Sequence, residues 1–403
     1  MRTVPLYAVT RQVRQVVDVR TLDGPLLHFS IPALEATGLP AIEDPTDIDS
    51  AKQRLRGGEV LISRLNPRKS RIATVPLLLD HIAVASTEFV VLDPIGIDRR
   101  FLAYLLASEA TRQQLDSAVR SVTRSHQRVD PEVITQMRVA LPQDDDQRRI
   151  ADFLDDQVAR IDNIVDTRRR QIDLELELFQ DFRETEVESD PSSPRLPLIH
   201  LTQRDRPINY GVLMPGPRLE AGIPLVEAGD VMRGPIRPDE LRLTAPAIEA
   251  EYARSRLLPG DLVMAIRGSI GAVQIVPGVD GVLNVTRDAA RISLDRRLGA
   301  SAYVRHAMTT RRVQDWFRLR VLGSAVTGIN IGDLRKVPIV VPSFSVQQAR
   351  AEAVDAAEQK VLRTQALMRQ SLAALTELRR SLITAAVTGE FDVSSADGSR
   401  VSA

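Results

Sequence analysis

The sequence predicts an α+β protein: two mixed α/β domains, joined and spaced by two long helices that pair as an antiparallel coiled coil. Two observations predict it. The first is an internal repeat, in which Val139, Pro142, Gln147, Ala151, Leu154, Asp155, Ile161, Ile172, Glu177, Leu178 and Val187 recur as Ile339, Pro342, Gln347, Ala351, Val354, Asp355, Val361, Leu372, Glu377, Leu378 and Val387, always 200 residues on. The second is that each copy sets a short apolar strand ending in proline ahead of a long charged segment with apolar residues at steps of three and four. That spacing is the pattern of an amphipathic helix. A chain of 403 residues has room for two cores, since domains commonly hold about 100 to 200 residues.

The segments follow in order: a first domain over 1–142, a central helix over 143–188, a second domain over 189–342, a C-terminal helix over 343–390 and a tail over 391–403. In the first domain "GGEVLISRLNP" is a strand bounded by Gly57-Gly58 and Asn66-Pro67, and "STEFVVLDP" is a strand closed by Asp93-Pro94. "RRFLAYLLASEATRQQLDSAV" then carries Phe101, Leu102, Leu105, Leu106 and Leu115 at helical spacing. The second domain repeats the order, with Gly260-Asp261 where the first has Gly58-Glu59 and "SAYVRHAMTTRRVQDWF" in place of the helix.

The central helix starts after Pro142 with three aspartates, which suit the positive end of the helix dipole. Its stripe is Val158, Ile161, Val165, Ile172, Leu176 and Phe179, and it stops before the proline-rich "ESDPSSPRLP". The second helix carries Val361, Met368, Leu372, Leu375, Leu378 and Leu382 and closes near Gly389. About 40 residues at about 1.5 Å each make a rod of about 60 Å, and a narrow stripe on so long a rod calls for a partner helix. Ile164 and Leu178 fall on the outer faces, where a partner protein would cover them.

Composition narrows the function. Hydrophobic residues are 43% and charged residues 26%, which excludes wholesale disorder. Without cysteine, and with five scattered histidines, neither a disulfide framework nor a metal site is expected, and no cofactor. No apolar stretch reaches the length of a signal core or a membrane span, so a cytoplasmic protein without membrane contact is expected. Net charge is zero, against indiscriminate coating of nucleic acid. Charge is nevertheless segregated: acids gather in the helices, while "SRLNPRKSR" (63–71), "RSVTRSHQR" (120–128) and "TRRVQDWFRLR" (310–320) are basic with few or no acids beside them in sequence. Such runs are commonly solvated surface; their presence in both halves favours nucleic acid.

Catalysis finds no motif. There is no G-x-x-x-x-G-K-[ST] and no Gly-Lys pair, against a P-loop motor. No Asn-Pro-Pro or Asp-Pro-Pro signature suggests an adenine methyltransferase. Lysine occurs only at 52, 69, 336 and 360, against a nuclease centre. "RGSIG" lacks the strand-turn-helix context and partner residues of a nucleophile elbow.

"VALPQDDDQRRIADFLDDQVARIDNIVDTRRRQID", "GINIGDLRKVPIVVPSFSVQQARAEAVDAAEQ" and the closing "RRSLITAAVTGEFDV" resemble the two conserved regions of the DNA-specificity subunit of Type I restriction-modification systems. The resemblance covers essentially the whole chain. It implies that each domain is a target-recognition domain reading one half of a bipartite site on double-stranded DNA. It implies that the helices set the half-site spacing and dock two adenine methyltransferase subunits, with a motor-nuclease subunit joining through that complex. The chain itself would be non-catalytic.

A DNA reader needs phosphate contacts for register and side chains that reach base edges, typically Arg to guanine and Asn or Gln to adenine. In the first domain the candidates are Asn66, Arg68, Lys69 and Arg71 after the strand, with Arg124, Ser125, His126, Gln127 and Arg128. In the second they are Arg267, Gly268 and Ser269 in "AIRGSIG", with Ser324, Thr327 and Asn330 in "GSAVTGIN". Glycine there lets backbone amides approach phosphate. Two other readings stay open: an orphan or decoy specificity subunit, and a coiled-coil adaptor without DNA affinity. Steeply salt-dependent duplex binding separates the adaptor from the reader.

Overall fold

The computed structural model describes residues 1–119, 127–268, 270–320 and 328–393. They form two compact units, Met1–Arg169 with Arg369–Ala403, and Arg170–Met368. Both long helices run 45 residues, Asp144–Glu188 and Phe344–Thr388, and each contributes to both units. The second ends at Thr388, with Gly389 at φ 80° in the left-handed region that favours glycine.

The first unit opens with Arg2–Pro5 paired antiparallel to Arg138–Leu141, the strand that leads through Pro142 into the first long helix. The second unit opens in the same way, with Arg195–Pro197 on Pro338–Val340. Each then builds a four-stranded sheet in one order. In the first unit the strands are Thr10–Val13, Phe89–Pro94, Val60–Ser63 and Ile72–Thr74; in the second they are Asn209–Tyr210, Ala289–Ile292, Leu262–Ala265 and Val273–Ile275. The predicted strands around Val60 and Phe89 are therefore the middle of a sheet. Leu92 faces Val60 as Ile292 faces Leu262, so the shared framework extends to register.

The units differ in their other sheet. The first has five strands, with Leu26–Phe29 parallel to Ile82–Ala85; the second has three, with Ile223–Val226 parallel to Asn284–Val285. Sequence between the shared strands is thus spent on different lateral structure.

The single helix expected over 99–119 is two, Arg99–Ala107 and Glu109–Ser117. Ser108 stops the first and caps the second, its hydroxyl accepting from the Thr111 amide. Thr310 does the same between Ser301–Met308 and Arg311–Arg318, accepting from the Val313 amide. The basic run 310–320 is consequently mostly helix, and Arg311 pairs with Asp181 at 2.6 Å, Arg318 with Asp315 at 2.6 Å.

Within the first unit, Ile150, Ala151, Leu154 and Val158 share one core with Ile383, Ala386 and Val387. Phe153 stacks on Phe391 at 5.6 Å and Asp162 pairs with Arg379 at 3.1 Å, so residue numbers climb on one helix as they fall on the other. Within the second unit Val187 and Ala351 enter one core, and Glu358 acts electrostatically on Arg183. The pairing inside each unit is antiparallel, as predicted. Leu176 and Leu378 correct the predicted stripes: they are 46% and 53% exposed, and half-buried Glu175 and Arg379 stand on the seam instead. A seam through Val158, Val165, Ile172 and Phe179 advances by sevens, and its intermediate step from Ile172 falls on Glu175, one residue before Leu176.

Candidate nucleic-acid interface

The two candidate segments of the first unit meet. After Val60–Ser63 the chain enters a tight turn, with Asn66 at φ 47° and Ser70 at φ 44° bracketing the 3-10 turn Pro67–Lys69. The Asn66 amide donates to the Gln127 carbonyl at 2.7 Å, and the Gln127 amide donates to Asn66 Oδ1 at 3.2 Å. Leu65 bridges Arg128, and the Val129 amide donates to the Arg64 carbonyl at 3.0 Å. Asn66, Arg68, Lys69, Arg71, Gln127 and Arg128 therefore belong to one cluster of loops. Arg124, Ser125 and His126 lie outside the described residues.

Acids absent from the local sequence neutralise much of this cluster, which corrects the reading of acid-free basic loops. Glu35, on the helix Ile31–Thr37, accepts from Lys69 Nζ at 2.6 Å and from Arg71 Nε at 3.0 Å. Those hydrogen bonds, Lys69's first, hold its carboxyl down at about 2. Arg71 also donates to the Leu65 carbonyl at 2.8 Å, so it is a buttress of the turn. Glu88 takes the Arg128 fork on both oxygens, at 2.9 to 3.2 Å, with Arg64 at 3.3 Å. Burial pushes Glu88 up, but the Arg128 hydrogen bonds and the Arg64 charge outweigh that and leave it lowered.

The second unit repeats the junction with other side chains. Arg267 bridges Gly328, and the Ile329 amide donates to the Ile266 carbonyl at 3.0 Å. These are the bonds of Leu65 with Arg128 and of Arg64 with Val129 on the shared frame. Gly268 sits at φ 71°. Asn330 caps the helix Ile331–Leu334: its Oδ1 accepts from the Asp333 amide at 2.8 Å and its Nδ2 donates to Asp333 at 2.6 Å. Ser269, Ser324 and Thr327 lie outside the described residues.

The repeated Gln and Asp fix each domain to its long helix, a role the sequence marked only by repetition. Gln147 is fully buried, its Oε1 accepting from the Asp98 amide at 2.8 Å and its Nε2 donating to the Pro142 carbonyl at 3.1 Å. Gln347 accepts from the Ala300 amide at 2.9 Å and donates to the Pro342 carbonyl at 2.9 Å. Asp155 takes Tyr104 Oη at 2.7 Å and Arg100 at 2.7 Å. Asp355 takes His306 Nε2 and Arg305, both at 2.8 Å.

His306, Asp355 and Glu358 lie close enough to ligate a cation, but the Arg305 guanidinium donates to both carboxylates and supplies the positive charge itself. Among the described residues no helix is long and apolar enough to cross a membrane.

No family model matches the chain. In sequence it is similar to the Type I restriction enzyme EcoBI specificity subunit of Escherichia coli, 26% identical over 297 residues, 67% of this chain. The match spans 61% of that relative's length. In fold it is similar to a chain solved for the structural basis of complex assembly and conformational transition of the type I R-M system, with a TM-score of 0.76, 18% identity and 97% and 98% of the two chains covered. It is also similar to the HsdS subunit from Thermoanaerobacter tengcongensis, with a TM-score of 0.51, 19% identity and 97% of each chain covered. The chain is therefore similar in sequence to a Type I restriction enzyme specificity subunit and shares its fold with chains of type I R-M systems, the resemblance that the residues around Pro142 and Pro342 carry.

Proposed function

We propose that this chain is the DNA-specificity subunit of a Type I restriction-modification complex. Each unit reads one half of a bipartite site on double-stranded DNA. The chain does no chemistry; two adenine methyltransferase subunits dock on its long helices, and motor-nuclease subunits join through them, in the cytoplasm. The observation that carries this reading is the duplicated junction. One backbone frame presents Asn66, Arg68, Gln127 and Arg128 in the first unit and Arg267 and Gly268 in the second. Two readers of different half-sites need a constant frame with variable side chains. Exposed Ile164 and Leu178, at 47% and 67%, are apolar surface suited to a docked subunit.

The test is co-expression with an adenine methyltransferase subunit of a Type I system, followed by mapping of modified adenines across the host genome. Two short half-sites at fixed separation are expected. A stable complex that modifies nothing new would instead establish a decoy subunit, and the absence of salt-dependent binding to duplex DNA would leave only the adaptor.

A further inference from the structure

In the four-stranded sheets Val91 faces Leu61, and Arg291 faces Val263, in the same register of the shared frame. Val91 is fully buried in an apolar layer with Phe29, Leu61 and Ala85. Arg291 is just 3% exposed, yet among the described residues it makes no ion pair. Its Nη1 donates to the carbonyls of Arg254 and Arg256, at 2.5 and 3.2 Å, and its Nη2 to that of Pro207, at 2.9 Å. Nε has no partner. The carboxylate that acts on it electrostatically, Asp261, is bound to Arg206 at 2.8 Å. A fold that accepts valine here does not need a buried guanidinium, which is costly without an anion.

Arg291 is part of the wall of a cavity of about 600 Å³ that Arg206, Arg254, Arg256 and Arg335 also line, with Asp205. Arg206 is committed to Asp261 and Arg256 to Glu249, at 2.8 and 2.7 Å. The side chains of exposed Arg254 and half-buried Arg335 have no partner among the described residues, and Arg335 Nε is buried without one. Three arginines without an ion pair among the described residues, Arg254, Arg291 and Arg335, thus line a cavity whose lining holds a single carboxylate residue, Asp205. Planar forks of N–H donors match phosphate oxygens, and the cavity has room for a phosphate carrying substituents.

We propose that this cavity binds a phosphate group, as a site of the second unit that the shared frame does not include. The phosphate comes from the DNA backbone or from a free phosphate ester. The site itself does not rest on the specificity-subunit reading; only the first of those sources does.

The full chain is titrated calorimetrically with sodium pyrophosphate. One equivalent is expected to bind, and to bind at least about ten-fold more weakly to an Arg254→Ala, Arg335→Ala double variant, which loses two charge-assisted contacts. The variant is expected to melt with the wild type because neither side chain has a partner to lose. A short duplex of arbitrary sequence is then added to the pyrophosphate complex: displacement assigns the site to backbone phosphate, and its absence assigns it to a free ester. Equal affinity of wild type and variant, or no saturable binding of pyrophosphate, overturns the proposal. Failure of the duplex to bind anywhere counts against the DNA reading and leaves the pyrophosphate result to decide this one.

Discussion

Asn66 and Gln127 hydrogen-bond each other in both directions, amide to carbonyl at 2.7 Å and amide to side-chain oxygen at 3.2 Å. Sixty-one positions separate them, and this pair joins the two basic segments into one surface. Asn66 also holds a left-handed φ of 47°, which asparagine tolerates better than alanine. Asn66→Ala keeps the backbone bond but loses the side-chain acceptor and the tolerance of left-handed φ, and is expected to cost about 1–2 kcal/mol of unfolding free energy. Denaturant titration measures the loss. Hydrogen exchange locates it: the Gln127 amide exchanges faster in the variant, and unchanged protection there would refute the pairing.

Glu88 restrains Arg128 and Arg64. If these arginines meet phosphate, Glu88→Gln releases them, and duplex affinity rises with a salt slope steeper by roughly one to two phosphates. Arg128→Ala moves affinity and slope the other way. Filter binding at several salt concentrations checks both, and slopes that do not change place the DNA elsewhere.

Glu35, held at about 2 by Lys69 and Arg71, is a depressed carboxylate. Its ionised form favours the folded state, so its contribution is fully present above about pH 4.5 and is lost as pH falls through about 2. The melting-temperature gap between wild type and Glu35→Gln is expected to be constant above pH 4.5 and to close towards pH 2. A gap independent of pH across that window would show that the ion pair adds nothing.

The repeat and the Pro142 and Pro342 junctions were legible because they rest on local pattern: strand, proline, a fixed Gln and helical periodicity. The acids were not. Glu35 lies 36 residues from Arg71 and Glu88 lies 40 from Arg128, so a window that found the basic runs could not find what neutralises them. Ser108 and Thr310 were hidden for a different reason, since apolar periodicity continues through a break made by one hydroxyl cap. Asn330 looked like a base reader by residue type, yet its amide is engaged as a cap.

Gln147 and Gln347 bear the load of the domain-to-helix joints. Replacing either with leucine keeps the volume but strands a half-buried amide N–H, that of Asp98 or of Ala300, along with a proline carbonyl. Each is expected to cost about 2–4 kcal/mol. Exchange protection should fall in Asp98–Ala107 for Gln147→Leu and in Ala300–Met308 for Gln347→Leu. Loss below about 1 kcal/mol would mean that water replaces the amide without penalty.

His306 offers the last test, because its counterpart on the shared frame, Tyr104, makes the same bond to the repeated aspartate without titrating near neutrality. Burial, then the Arg305 charge, push His306 down to about 4 against the pull of Asp355. Folding therefore favours the neutral ring. Its contribution is fully present above about pH 6.5, and it declines by up to about 3 kcal/mol as pH falls to 4. His306→Gln keeps a donor at the Nε2 position and removes the titration. Between pH 6.5 and 4 the variant's unfolding free energy should lose less than the wild type's by that amount. Parallel curves would show that the ring stays neutral, or charges, equally in both states.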